Sequence, residues 1–133
     1  MARILLAEDN PGDVLLFREA LRLSNLSCDL VVAEDGEKAL HLLQNTSAAP
    51  NGARPDVIVL DINLPKRSGQ DVLQWVRGNG SFATTPVIVL TSSASPEDRT
   101  RALELGANLY VQKSSDLDEI FEIGQTISRL LAG

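Results

Sequence analysis

Three acids and a lysine stand where apolar runs stop. Glu8-Asp9 follows Arg3-Ile4-Leu5-Leu6-Ala7, Asp61 follows Val57-Ile58-Val59-Leu60, and Lys113 follows Leu109-Tyr110-Val111-Gln112. A fourth run, beginning at Pro86, stops on the hydroxyls Thr91-Ser92-Ser93. Short continuous apolar runs suit strands buried on both faces. A strand ending in a charged residue delivers that charge to the edge of a sheet, where it needs a cation, a proton or a reaction. If the four strands are neighbours, three carboxylates, a hydroxyl and an ammonium meet in one crevice. Adjacent carboxylates repel, so the cluster calls for a cation. All-oxygen ligands suit a hard ion, and Mg²⁺ in particular keeps waters and accepts phosphate oxygens. One carboxylate can then attack phosphorus and become an aspartyl-phosphate. The metal and the lysine would neutralise charge on the transferring oxygens. Asp61, expected on the middle strand with the acidic pair to one side and Lys113 to the other, is the best-placed nucleophile. Thr91 is placed to donate a hydrogen bond to the phosphoryl group.

Bringing these ends together requires a scaffold, and the chain reads as five βα units. Asn10-Pro11-Gly12-Asp13 carries turn and helix-start chemistry, and Val14, Phe17 and Leu21 form one stripe of the helix that follows. Cys28 begins a second strand that includes Leu30–Ala33, and Glu34-Asp35-Gly36 turns into a helix carrying Ala39, Leu40, Leu42 and Leu43. The segment from Asn45 to Arg54 lacks periodicity and reads as a surface loop, longer than the usual ~2–6 residues. After the central strand, Lys66-Arg67-Ser68-Gly69 leads into a helix from about Gln70 to Arg77, stopped by Gly78-Asn79-Gly80. Gly69 and Pro65 read as turn-formers. Ser95 and Pro96 start a helix that ends at Gly106. The last helix, from about Leu117 to Leu131, carries Leu117, Ile120, Phe121, Gly124, Ile127 and Leu131 in its stripe. Alternating βα units predict a parallel sheet covered on both faces, with ligands beyond the strands' carboxyl ends.

At 133 residues the chain predicts one domain with its own core, and 44% hydrophobic with 23% charged residues is the balance of a folded protein. A formal charge of -6 argues against direct binding to DNA, which needs a basic face. No apolar run approaches the ~18 residues of a membrane span, and the start lacks the features of a signal peptide. Cys28 is the only cysteine, which points to a reducing cytoplasm and a packed thiol rather than a reactive one. His41 has no partner ligands at metal spacing. Trp75 falls about 100° off the face of Val72, Leu73 and Val76 and is expected to pack at the edge, against the neighbouring helix.

Glu8-Asp9, Asp61-Ile62-Asn63-Leu64-Pro65 with Gly69 beyond, Pro86-Val87-Ile88-Val89-Leu90-Thr91-Ser92 and the segment from Gly106 to Lys113 occur in order, one per strand end. Together they resemble a two-component response-regulator receiver domain over essentially the whole chain. The resemblance implies the flavodoxin-like (βα)5 doubly wound fold, five parallel strands in the order 2-1-3-4-5. It implies Asp61 as phosphoacceptor, Glu8 and Asp9 as the acidic pair of a Mg²⁺ site, and Asn63 as the residue whose backbone carbonyl completes that site. It also implies Thr91 as the switch hydroxyl, Lys113 as the phosphoryl-binding lysine, and Tyr110 as the aromatic that moves inward with the hydroxyl. The implied partner is a sensor histidine kinase, and the implied dimer face is built from the fourth and fifth helices and the fifth strand. The expected output is protein–protein contact or a phosphorelay, from residues 1–133 as a single receiver domain without an output domain. No enzyme activity is expected beyond the domain's own aspartyl phosphorylation and dephosphorylation.

The family's usual proline after the lysine is replaced by Ser114, which leaves the shape of that peptide, cis or trans, open. The Lys-Ser pair, the long second loop, Asn63-Leu64-Pro65-Lys66 and Val89-Leu90-Thr91-Ser92-Ser93 resemble stand-alone regulators paired with phytochrome-type kinases. Three rivals have less support, one of them a flavodoxin-type FMN binder, which would need a phosphate loop after the first strand, where Glu8-Asp9 would repel phosphate. An aspartate-nucleophile phosphatase would place an acid where Asn63 stands, and a phosphorylation-independent scaffold would not need the full constellation.

Overall fold

The computed structural model describes residues 2–48, 54–114 and 116–132. The elements alternate: β1 (Ala2–Ala7), α1 (Pro11–Leu23), β2 (Cys28–Ala33), α2 (Gly36–Ala48), β3 (Val57–Leu60), α3 (Gly69–Gly78), β4 (Val87–Thr91), α4 (Pro96–Glu104), β5 (Leu109–Gln112) and α5 (Leu117–Ala132). The five strands form one parallel sheet, as the βα alternation predicts, in the order β2-β1-β3-β4-β5 that the family resemblance implies. Strand burial follows position. Every residue of β3 and β4 is buried, whereas the edge strands β2 and β5 alternate or lie partly open.

Period-two alternation divides the core into two layers. Leu5, Ala7, Ile58, Leu60, Val87 and Val89 face α2 and α3, meeting Leu40, Leu43, Val72, Leu73 and Val76. Ile4, Leu6, Val57, Val59, Ile88 and Leu90 point the other way, to Phe17 and Leu21 of α1 and Ile127 of α5. Burying a Leu, Ile, Val or Phe side chain contributes about 1.5–3 kcal/mol, so these layers hold the strand ends in place.

Local chemistry sets the helix starts. Asn10 caps α1, its side-chain oxygen accepting from the Gly12 and Asp13 N–H groups, with Pro11 in the first turn. Ser68 caps α3 through the Asp71 N–H, and Ser95 caps α4 through the Asp98 N–H. Asp35, buried, accepts the Lys38 N–H at 2.7 Å.

Three expectations need correction and a fourth an addition. The segment from Asn45 is not a loop from its start, because α2 continues to Ala48. Buried Leu43 anchors that last turn, and the Thr46 hydroxyl donates to its carbonyl at 3.0 Å. Residues 49–53 of the expected loop lie outside the described residues. Phe121 is not in the core but 40% exposed, while Ile120 and Ile127 of the same helix are buried. Trp75 is half-buried against the core layer, and its ring also packs on Phe82, in the connection after α3, with centroids 5.9 Å apart, a contact the sequence did not show. Gly69 is more than a turn-former. A Cβ there would overlap the Asp61 carbonyl oxygen.

Candidate functional site

The β1 and β3 carboxyl ends are adjacent, and this adjacency brings the acids together. Asp61 is the first residue after β3, and its N–H donates to the Ala7 carbonyl of β1 at 3.1 Å. Glu8, the first residue after β1, donates its N–H to Ala33 of β2 at 2.9 Å. Both side chains are buried, whereas Asp9 is exposed. Among the described residues, Glu8, Asp9 and Asp61 form a group whose carboxylate oxygens lie within 4.8 Å of one another. Three hard oxygen donors that close fit a divalent cation that keeps some of its waters.

The turn after β3 is braced from below. Gly69 donates its N–H to the Ile62 carbonyl at 3.0 Å and lies against the Asp61 backbone, too close for any side chain. Asn63 donates its N–H to Asp61 Oδ1 at 3.1 Å, which orients the carboxylate. Gly36 at the start of α2 donates to the Pro65 carbonyl, and a Cβ on it would overlap the Arg67 carbonyl. Lys66, between these two contacts, takes φ 67°, and its ammonium stands 3.8 Å from Asp35. A non-glycine residue in that region carries strain, held here by packing on both sides.

Lys113 crosses the site. It stands just past β5, yet its ammonium reaches beyond β4 to Asp61 Oδ2 at 2.7 Å, Glu8 Oε1 at 2.6 Å and Asp13 Oδ2 at 2.8 Å. The strands flank Asp61 as expected, the acidic pair after β1 on one side and Lys113 after β5 on the other, and the lysine side chain reaches across to bridge them. An ammonium has three N–H donors, and each has a carboxylate to meet. Burial alone lowers the lysine's affinity for its proton, but hydrogen bonds to Asp13, Asp61 and Glu8 outweigh it and hold its pKa well above 10.5. Burial pushes the Glu8 carboxyl above 4.5, against the opposing hydrogen bonds from Lys113 and the Asn10 N–H. The Lys113–Ser114 peptide is trans, as no cis bond occurs among the described residues.

Thr91, the last residue of β4, is fully buried, and its hydroxyl oxygen accepts the Ser93 N–H at 3.3 Å. The structure thus engages it within its own loop rather than with the carboxylates. Ser93 ties that loop together: its hydroxyl donates to Asp98 Oδ2 at 2.6 Å, and its carbonyl accepts the Tyr110 hydroxyl at 3.0 Å. Tyr110 is half-buried, with the Arg99 guanidinium 6.0 Å from its ring centroid. Thr91 and Tyr110 are therefore linked through Ser93, and Tyr110 stands on β5, the strand that leads to Lys113.

Sequence reading missed the roles of Asp13 and of the Ser93–Asp98 pair. A signal for Asp13 existed, because the first turn of a helix that follows β1 begins at the strands' carboxyl edge.

Fold and site together define a response regulator: the chain belongs to the response regulator receiver domain family, which it matches over residues 4–125. Response regulator Rcp1 of Synechocystis sp. is 38% identical over 124 residues, 93% of this chain and 84% of that protein. The phosphorylated cyanobacterial phytochrome response regulator RcpA superposes with a TM-score of 0.86 at 34% identity, covering 99% of this chain and 94% of that one. The Mn²⁺-bound form of Rcp1 gives 0.83 at 37% identity, covering 96% and 92%. The transcriptional regulatory protein CpxR of Escherichia coli is 37% identical over 85% of this chain, which spans only 43% of its length. No helix among the described residues is long and apolar enough to cross a membrane.

Proposed function

We propose that this chain is a phospho-switch in which Asp61 accepts a phosphoryl group from the phosphohistidine of a sensor histidine kinase. The observation that carries the reading is the Lys113 ammonium 2.7 Å from Asp61 Oδ2, beside the Glu8, Asp9 and Asp61 cluster. Glu8, Asp9, Asp61 and the Asn63 backbone carbonyl would hold Mg²⁺. The metal supplies charge neutralisation for the acids and for the phosphoryl oxygens. Asp61 attacks as a carboxylate: an O–P bond forms on it, the P–N bond to the donor imidazole breaks, and the imidazole leaves. Lys113 offers its ammonium to the phosphoryl oxygens, and the Thr91 hydroxyl turns to donate to them. That turn gives up the Ser93 contact, and through Ser93 it acts on α4 and Tyr110. A local charge change thereby biases a surface.

Likeness to Rcp1 and RcpA makes a phytochrome-type kinase the donor in this reading. Leu103, Leu109 and Phe121, on α4, β5 and α5, are 41%, 37% and 40% exposed, which supports that face as the one where two copies meet on phosphorylation. Light scattering with and without a phosphoryl donor checks this, and a mass that stays constant overturns it.

Incubation with Mg²⁺ and acetyl phosphate tests the central step. Intact mass should rise by one phosphoryl group, stable to acid and labile to base, and Asp61→Asn should abolish the gain. Label that persists in Asp61→Asn would overturn the assignment.

A further inference from the structure

Asp13 meets the reactive lysine without belonging to the acid cluster. Among the described residues, the group close enough to share a cation is Glu8, Asp9 and Asp61. Two of the three carboxylates on Lys113 therefore have second tasks: Glu8 and Asp61 both belong to the cation group, and Asp61 is also the proposed nucleophile. Asp13, on the first turn of α1, stands 2.8 Å from the same ammonium and has neither task.

Its position is built in. Asn10 donates its N–H to Glu8 Oε2 at 3.1 Å, and its side-chain oxygen accepts the Gly12 N–H at 2.8 Å and the Asp13 N–H at 3.3 Å. One residue thus fixes the start of α1 relative to Glu8. Behind the pair, between α1 and α5, lies a cavity of about 30 Å³, room for roughly one water. Apart from Asp13, Lys113 and Ser114, its walls are apolar, among them Leu16, Phe17, Leu90 and Ile123. On that side of the ammonium, the lining residues with an acceptor on the side chain are Asp13 and Ser114.

We infer that Asp13 is a positioning residue that keeps the Lys113 ammonium at the phosphoryl site while Glu8 and Asp61 change partners. The inference rests on the reading of Asp61 as phosphoacceptor. A lysine with only Glu8 and Asp61 would be released when those carboxylates turn to other atoms, and its long stem would swing towards water. Asp13 prevents this, and because its own side chain is 31% exposed, the contact loosens at little cost when the lysine shifts towards phosphoryl oxygens.

The test compares the full chain with Asp13→Asn and Asp13→Glu. The saturating rate constant and half-saturating acetyl phosphate concentration are measured in Mg²⁺. Asp13→Asn should lower the saturating rate about three- to tenfold, the loss of a charge-assisted hydrogen bond at a partly open position. Half-saturation should stay level or fall, since one negative charge is gone, and Asp13→Glu should recover most of the rate. An acid that serves only the helix start would change the melting temperature and leave the rate alone. A rate for Asp13→Asn within twofold of the parent, or an Asp13→Glu variant as slow as Asp13→Asn, sinks the inference. A second readout needs neither metal nor donor: Lys113 ammonium protons, followed by NMR, should exchange faster in Asp13→Asn, and unchanged exchange also sinks it. If the parent chain takes no label at all, the Asp61 reading fails, and the exchange measurement still decides whether Asp13 holds the lysine.

Discussion

The two ends of the sheet each hold a half-buried cation, and the two are satisfied differently. At the amino-terminal edge, Arg77 of α3 donates to the carbonyls of Gly106 at 2.9 Å, Thr85 at 2.7 Å, and Phe82 and Ala83 both at 3.3 Å. It also donates to Asn108 Oδ1 at 2.8 Å. All these acceptors are neutral, and burial lowers the arginine's pKa. At the carboxyl-terminal edge, Lys113 faces three carboxylates. Neutral carbonyls fixed in the backbone do not titrate and do not leave, so Arg77 pins the α3–β4 connection to the α4–β5 connection. Carboxylates are ligands for other cations, so in the proposed function the lysine's ion pairs are a resting arrangement that a metal or phosphoryl group would reorganise. Charge on the acceptor separates a structural cation from a reactive one.

The sharpest way to break this contrast is to remove each cation in turn. Lys113→Ala should slow labelling by acetyl phosphate about 10²–10³-fold, as expected for loss of a donor aimed at developing charge. Labelling of Arg77→Ala, scaled to folded protein, should stay within about twofold of the parent, since the sites lie at opposite edges. A time course of intact mass at fixed Mg²⁺ measures both, and equal losses in the two variants would end the distinction.

Stability should show the reverse. Arg77→Ala should cost about 3 kcal/mol, because several part-buried carbonyls lose a charged donor together. Urea unfolding measures it, and added Mg²⁺ should not recover the loss.

The smallest effect concerns pH. Burial holds the Glu8 carboxyl above 4.5 in the folded protein, so the folded state binds that proton more tightly than the unfolded one. Its contribution therefore rises as pH falls through the raised pKa and shrinks as pH climbs back. Lys113 acts elsewhere: its contribution is complete below 10.5 and is lost only above that, as pH rises through its raised pKa. Without divalent cation, Glu8→Gln should flatten the mildly acidic part of the stability profile by about 1 kcal/mol or less. Urea midpoints at a series of pH values read this, and a profile parallel to the parent's would contradict it.

Much of this was legible in the chain. Val57–Leu60 and Pro86–Leu90 announce central strands because burial on both faces leaves no place for polar residues. Ser95-Pro96 and Gly106 bracket α4 because caps need particular chemistry, and Gly106 takes φ +106°. Less legible were features that depend on a partner far away in sequence. The polar end of α2 looks like a loop until Leu43 finds its place in the core. Phe121 looks like core until its helix settles with Ile120 and Ile127 inward. Gly69 looks like a turn until the Asp61 backbone lies against it.

By itself, the sequence determined which residues stand at the strand ends and in what order the elements come, since burial, caps and turns are local requirements written into neighbouring residues. That was enough to single out Glu8, Asp9, Asp61, Thr91 and Lys113. The tertiary structure alone decided how these groups meet. Strand order puts β1 beside β3, so the acids converge, and a lysine stem is long enough to pass β4 and reach both. Asp13 joins only because α1 starts at that same edge, a matter of packing between segments 100 residues apart.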